Sequence, residues 1–277
     1  MPPPRRGWFH HNEFSIAELV AAKGRQRVAV CIPARNEEAT VATVVGSAAV
    51  LRRVGLVDDV VVIDDASEDG TGMAARRAGA RVVRLARQAG KGAAMRRAVA
   101  SSDADVFVFL DADVVNVVPD FVVGLLGPLL LWPEFVLVKA ACRRYLYGRP
   151  GEGGRVTELV ARPLLDRWFP LLADVAQPLA GECALRRRVT DAIGFDAGYA
   201  IEIGLLIDVA ATFGTDAIAE VDLGDRVHRN RPLHELRWQA AEILDAVLRR
   251  VDGPWATADS VDPDRIQYVW VILSQDG

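Results

Sequence analysis

Cysteine, lysine and long apolar runs are what this sequence has least of. The cysteines are Cys31, Cys142 and Cys183, odd in number and far apart. That excludes a disulfide framework, and the spacing excludes a cysteine-based metal site. Cys31 lies in an apolar run, so buried, inert thiols and a reducing cytoplasm are expected. Lysine occurs only as Lys23, Lys91 and Lys139, and the remaining basic residues are arginines. Arginine is the better fork for carboxylate and phosphate, although an Arg/Ala/Val-rich composition explains many of these without a function. The formal net charge of −4 argues against a general nucleic-acid binder. The longest apolar stretch, 121–132, is too short to span a bilayer and contains Pro128. The opening Met1-Pro2-Pro3-Pro4-Arg5-Arg6 lacks the form of a signal peptide. No membrane partner is therefore expected. Also missing is the Gly-x4-Gly-Lys-Ser/Thr spacing of a P-loop. No Gly-x-Gly-x-x-Gly follows the first strand, which argues against a dinucleotide oxidoreductase and equally against a nucleotidyltransferase.

What is present is a strand–helix alternation. Val28-Ala29-Val30-Cys31-Ile32, Val60-Val61-Val62-Ile63 and Val106-Phe107-Val108-Phe109-Leu110 read as continuous apolar strands. Helices are expected after the first two and over 91–100, which together imply a parallel sheet covered on both faces. Further on, strands are expected at 135–141 and 217–223. Helices are expected at 156–172 with a break at Pro163, at 199–213 and at 232–250. The chain divides in this reading into an N-terminal extension (1–27), a nucleotide-binding half (28–142), an acceptor-binding half (143–251) and a tail (252–277).

The chemistry-bearing residues fall at strand ends. Asp111-Ala112-Asp113 closes the third apolar strand, and open α/β sheets bind ligands outside the carboxyl ends of their strands. Two carboxylates there repel each other unless a cation lies between them, and a divalent metal carrying a nucleotide diphosphate fits. The plain alternative is that Asp111 caps a turn and Asp113 is solvated. Pro33-Ala34-Arg35-Asn36-Glu37 and Asp64-Asp65 suit contacts to a base or ribose, or caps of the helices that follow. Ala89-Gly90-Lys91-Gly92 opens a helix, with Lys91 a point charge for phosphate. Gly153-Gly154-Arg155-Val156-Thr157 offers backbone, one guanidinium and one hydroxyl at a helix start, an anion site. Glu202 sits within an apolar helix pattern and must be paired, either with an arginine or with the acceptor hydroxyl. His228 lies between Arg226 and Arg229 in a polar loop, where a histidine is ordinarily solvated.

In this order and spacing, the Pro-Ala-x-Asn-Glu-Glu turn, the Asp-Asp-x-Ser-x-Asp-Gly-Thr turn, Gly-Lys-Gly and Asp-x-Asp resemble the GT-A nucleotide-sugar glycosyltransferases. Gly153 to Leu159, Gln177-Pro178-Leu179-Ala180-Gly181-Glu182, Gly198 to Gly204 and Arg226 to Pro232 narrow the resemblance. Together they resemble the retaining glucosyl-3-phosphoglycerate synthases of actinobacteria and the similar mannosyl-3-phosphoglycerate synthases. The resemblance runs over about 8–248 and leaves the last ~25 residues unmatched. It implies a GT-A fold with a Rossmann-like donor half and a homodimer. The donor would be UDP-glucose, with GDP-mannose as the rival, and the acceptor 3-phosphoglycerate. It implies Mg2+ or Mn2+ held by Asp113 and His228, with Asp111 turned to the ribose or the metal's waters. Pro33, Ala34, Asn36, Glu37, Asp65, Lys91, Asp111 and Ala112 would take the donor. Gly154, Arg155, Val156, Thr157, Tyr199, Glu202, Arg226 and Asn230 would take the acceptor, and Asp113, Glu202 and Lys91 would serve catalysis. A non-catalytic nucleotide-binding module and a transferase to a membrane lipid phosphate remain as rivals.

Overall fold

The structure is a computed structural model that describes residues 7–146, 149–150, 154–227 and 232–251. The chain opens with β1 (Trp8–His10) and α1 (Ile16–Lys23). The Ser15 hydroxyl caps α1 by accepting the Glu18 N–H at 3.3 Å. Gly24, at φ 54°, ends it. Next come β2 (Val28–Ala34), α2 (Val41–Arg53), β3 (Asp59–Asp64), α3 (Thr71–Arg77), β4 (Arg81–Arg84), α4 (Lys91–Ala100) and β5 (Val106–Phe109). These are followed by α5 (Pro119–Leu131), β6 (Leu137–Leu146), the two-residue β7 (Arg149–Pro150) and α6 (Arg162–Trp168). The last described elements are β8 (Cys183–Arg186), α7 (Arg187–Ala192), α8 (Ile201–Phe213), β9 (Ile218–Arg226) and α9 (Leu233–Val251).

The strands form one sheet in the order β1-β9-β6-β8-β5-β2-β3-β4, with β7 paired to β6 at its side. Neighbours β5, β2, β3 and β4 run parallel, as continuous apolar strands under helices should. Alternate residues of β2 feed two cores: Val28, Val30 and Ile32 pack with α2 and α5, while Ala29 and Cys31 pack with α4 and α8. Both faces are thus covered, and the carboxyl ends of β2, β3 and β5 open on the same edge.

Four expectations need correction. The sheet is mixed, because β8 runs antiparallel to both β5 and β6. Cys183-Ala184-Leu185 is too short an apolar run to announce a strand, with Glu182 before it and Arg186-Arg187-Arg188 after it. The strand expected to end at 141 continues through Leu146, held by parallel pairing to β9 across a bulge at 141–143. Pro163 does not end the helix: the helical run passes through it, the π-helical turn Thr157–Ala161 giving way to α6 at Arg162, just before the proline. The segment read as an extension supplies the edge strand β1, parallel to β9. The thiols of Cys31 and Cys183 are buried, and burial pushes the Cys183 thiol up to about 11. Cys142 is only half-buried.

Candidate active site

β5 delivers Asp111 and Asp113. The strand's last apolar residue, Leu110, donates its N–H to Cys31 O at 3.1 Å, so the turn starts from a fixed point. Ala112 is buried in the core, which leaves the carboxylates on either side of it lining a cleft of about 540 Å³. Lys91, the first residue of α4, reaches into the same cleft, and its Nζ lies 2.5 Å from Asp111 Oδ1 and 2.6 Å from Glu202 Oε1. Arg226, at the end of β9, donates from Nη2 to Asp111 Oδ2 at 2.8 Å and from Nε to Glu182 Oε1 at 2.6 Å. Its approach to Asp113 Oδ1 is longer, 3.5 Å. Gly181 passes so close that a Cβ there would run into the Lys91 ammonium and both Asp111 oxygens.

The electrostatics follow from this packing. Burial opposes the charge on Lys91, yet Asp111 and Glu202 hold its pKa well above the ordinary lysine value. Burial likewise opposes Arg226, and Glu182, Asp111 and Asp113 overcome it. Asp113 behaves oppositely: burial and then the charge of Asp111 raise its carboxyl above the usual range, with Arg226 only partly compensating. Among the described residues the cluster sets four carboxylates (Asp111, Asp113, Glu182, Glu202) against two cations (Lys91, Arg226). Two negative charges remain, and hard oxygen donors with that excess suit a Mg2+ or Mn2+ ion at Asp113.

Three of the expected site residues are bonded to one another in the structure. Asp111 is clamped between Lys91 and Arg226. Lys91 pairs with two carboxylates, and one of them is Glu202, whose partner is thus this lysine rather than an arginine.

The β2 and β3 turns contribute a further part of the lining. Pro33, Ala34, Glu37 and Asp65 line the cleft. Asp65 neither caps α3 nor hangs free: its Oδ1 and Oδ2 accept the N–H groups of Ala89 and Gly90 at 2.7 and 2.9 Å. It thereby fixes the turn that aims Lys91. Asn36 lies outside the cleft, in an adjoining groove. At φ 54° it joins the two turns, accepting the Glu68 N–H at 2.8 Å and donating its own N–H to Ser67 Oγ at 3.1 Å.

On the acceptor side Gly154, Arg155, Val156 and Thr157 line the cleft at the start of a π-helical turn, Thr157–Ala161. Gly154 takes φ 80°, which brings the chain sharply into that turn. Tyr199 lines the same cleft, its N–H donating to Glu242 Oε2 at 2.6 Å. His228 and Asn230 lie outside the described residues. Sequence reasoning missed Gln88 and the Leu236, Gln239 and Glu242 face of α9, which line the cleft, and it gave no role to Arg35 and Leu179, which line it too. The spacing of 236, 239 and 242 marks one helix face, but nothing in it tells a cleft wall from a core. Glu182 was noted within a motif and given no role.

A Rossmann-like half with acidic strand ends, joined across one cleft to an anion-suited helix start, defines a GT-A glycosyltransferase. Residues 29–136 match Glycosyl transferase family 2. The chain is 43% identical over 260 residues to a glucosyl-3-phosphoglycerate synthase of Mycobacterium tuberculosis, an alignment covering 89% of this chain and 80% of that protein. It is 40% identical over 260 residues to a glucosyl-3-phosphoglycerate synthase of Petrotoga mobilis, covering 88% and 80%. The crystal structure of the M. tuberculosis enzyme with Mn2+, UDP-glucose and phosphoglyceric acid matches with a TM-score of 0.81 at 44% identity, covering 87% of this chain and 85% of that one. The structure of that enzyme with Mg2+ and UDP matches with a TM-score of 0.83 at 43% identity, covering 91% and 88%. The chain belongs to the glucosyl-3-phosphoglycerate synthases.

Proposed function

We propose that this protein transfers glucose from UDP-glucose to the 2-hydroxyl of 3-phosphoglycerate, with retention at the anomeric carbon, giving glucosyl-3-phosphoglycerate. The observation that carries the reading is the shared cleft, which the Asp111–Asp113 turn and the Arg155–Thr157 helix start line together. The relatives named above supply the substrates: one solved structure holds UDP-glucose with phosphoglyceric acid, and another holds UDP with glucosyl-3-phosphoglycerate.

In this reading residues 28–142 serve the donor and 143–251 the acceptor. Asp113, with His228, holds Mg2+ or Mn2+. When bound, that ion neutralises the leaving diphosphate. Pro33, Ala34, Glu37 and Asp65 border the nucleoside. Arg155 and Thr157, beside Gly154 and Val156, take the phosphate and carboxylate of the acceptor, with Tyr199 and Asn230 next to them. Lys91 and Arg226 keep Asp111 and Glu202 fixed, so the reacting groups meet preorganised charge. Glu202 lies against the acceptor as a positioning group. Its oxygen is already bonded to Lys91, which favours front-face attack, the leaving diphosphate taking the hydroxyl proton, over a covalent intermediate. The family resemblance supports a homodimer, and the free cysteines Cys31, Cys142 and Cys183 support a reducing, cytoplasmic location. Among the described residues no helix is long and apolar enough to cross a membrane.

The test is product analysis after incubation with Mg2+, 3-phosphoglycerate and an equal mixture of UDP-glucose and GDP-mannose. Glucosyl-3-phosphoglycerate as the dominant product supports the reading, and mannosyl product or no product overturns it.

A further inference from the structure

One buried carboxylate in the cluster has no part in the reaction described so far. Glu182, the residue after Gly181, is 1% exposed. Its Oε1 accepts from Arg226 Nε, while its Oε2 is buried and has no hydrogen-bond partner among the described residues. A carboxylate kept at that depth with one oxygen unmatched is costly, so its place needs a reason. The backbone around it is rigid: Ala140 donates its N–H to Glu182 O at 3.1 Å, and the buried Lys139 Nζ donates to Ala180 O at 2.7 Å. Glu182 is therefore a fixed post against which the Arg226 fork is set. With Nε held there, Nη2 reaches Asp111 at 2.8 Å and stops 3.5 Å short of Asp113.

We propose that Glu182 is a positioning residue: by holding Arg226 against Asp111 it keeps the Asp113 carboxylate open to a divalent cation. This rests on the reading of Asp113 as the residue that holds the ion. Without the charge of Glu182, the guanidinium has only the two aspartates to satisfy it. It closes the gap to Asp113, and an incoming cation must displace it. The lost negative charge weakens cation binding in the same direction.

The test measures Mn2+ binding by calorimetry in the presence of UDP, for the wild type, Glu182→Gln, Arg226→Lys and the double variant. Metal-free melting curves are recorded alongside. Glu182→Gln is expected to weaken Mn2+ binding tenfold or more. In the Arg226→Lys background, which lacks the fork, the same substitution should weaken it much less. Glu182→Met, of similar length, carries the same expectation and serves if the glutamine variant does not fold. If the folded variants bind Mn2+ as the wild type does and only melt earlier, Glu182 is structural and the proposal fails. Additive effects in the double variant overturn the route through Arg226. A wild type that binds no Mn2+ with UDP overturns the reading of Asp113, and this proposal with it, a result distinct from the other two.

Discussion

Lys91 Nζ bridges Asp111 and Glu202, at 2.5 and 2.6 Å, and so ties the end of β5 to α8 across the floor of the cleft. One ammonium therefore satisfies two carboxylates from opposite halves of the chain. Lys91→Met leaves both without their cation in a partly buried site. Removing one partner of such a pair costs about 3–5 kcal/mol when it is fully buried. The clamp here is about one-sixth exposed, so the lower end applies. The expected result is a lowered melting temperature together with a loss of kcat of a hundredfold or more. A variant with wild-type turnover would show the bridge to be incidental.

Gly181 makes a second, steric prediction about the same clamp. Its backbone is in an ordinary conformation, so alanine is not excluded by φ. The added Cβ, however, meets the Lys91 ammonium and both Asp111 oxygens. Gly181→Ala should fold and lose at least tenfold in kcat. Gly194→Ala has open space around its Cβ and should match the wild type. Equal activity of the two variants would remove the steric argument.

The donor half was legible in the sequence because its strands are continuous apolar runs ending in turn-forming polar residues. Asp111 and Asp113 could be placed from that pattern alone, and α4 begins at Lys91 as expected. The partners of these residues could not be read. The Lys91–Glu202 and Arg226–Glu182 contacts join positions 111 and 44 residues apart, and no periodicity encodes such a pairing. β8 was hidden for the same reason, since its antiparallel place between β5 and β6 depends on the fold around it. Asn36 was legible as a turn residue but not as one turned away from the cleft, because its φ of 54° cannot be inferred from the motif.

Asp113 should trade stability for function. Its carboxyl is held above the usual carboxylate range by burial and by Asp111. The ionised form is thus disfavoured in the fold relative to the unfolded chain. The penalty is absent below the ordinary carboxylate pKa of about 4, builds up between that value and the raised one, and is constant above it. Asp113→Asn should abolish turnover yet melt higher than the metal-free wild type at pH 7, by roughly 2–4 °C for each kcal/mol relieved. The gap should narrow to nothing towards pH 4. Melting curves of both proteins in chelator, from pH 4 to 8, check the sign. A variant that melts lower throughout contradicts it.

Arg155 should separate acceptor from donor. It lines the cleft two residues before Thr157, at the helix start that suits an anion. A charge-assisted hydrogen bond is worth about 1.5–3 kcal/mol, which corresponds to roughly ten- to a hundredfold in binding. Arg155→Ala should raise KM for 3-phosphoglycerate by that factor and leave UDP affinity within about twofold. A matching loss of UDP affinity would place Arg155 with the donor instead.

Glu202 decides between the two routes to retention. A nucleophilic carboxylate must turn an oxygen toward the anomeric carbon, and Glu202 Oε1 is bonded to Lys91 at 2.6 Å in a residue only 7% exposed. Turning Oε1 would take from the Lys91 ammonium one of the two carboxylates, Asp111 and Glu202, that hold its pKa raised. Front-face attack needs no such movement. Intact-protein mass spectrometry after rapid quenching with UDP-glucose, with and without acceptor, should show no glucosylated enzyme. Glu202→Gln, which keeps an oxygen for Lys91, should retain measurable turnover with the same anomeric configuration, whereas a true nucleophile would lose it entirely. A hexose adduct mapped to Glu202 would establish double displacement and end the front-face reading.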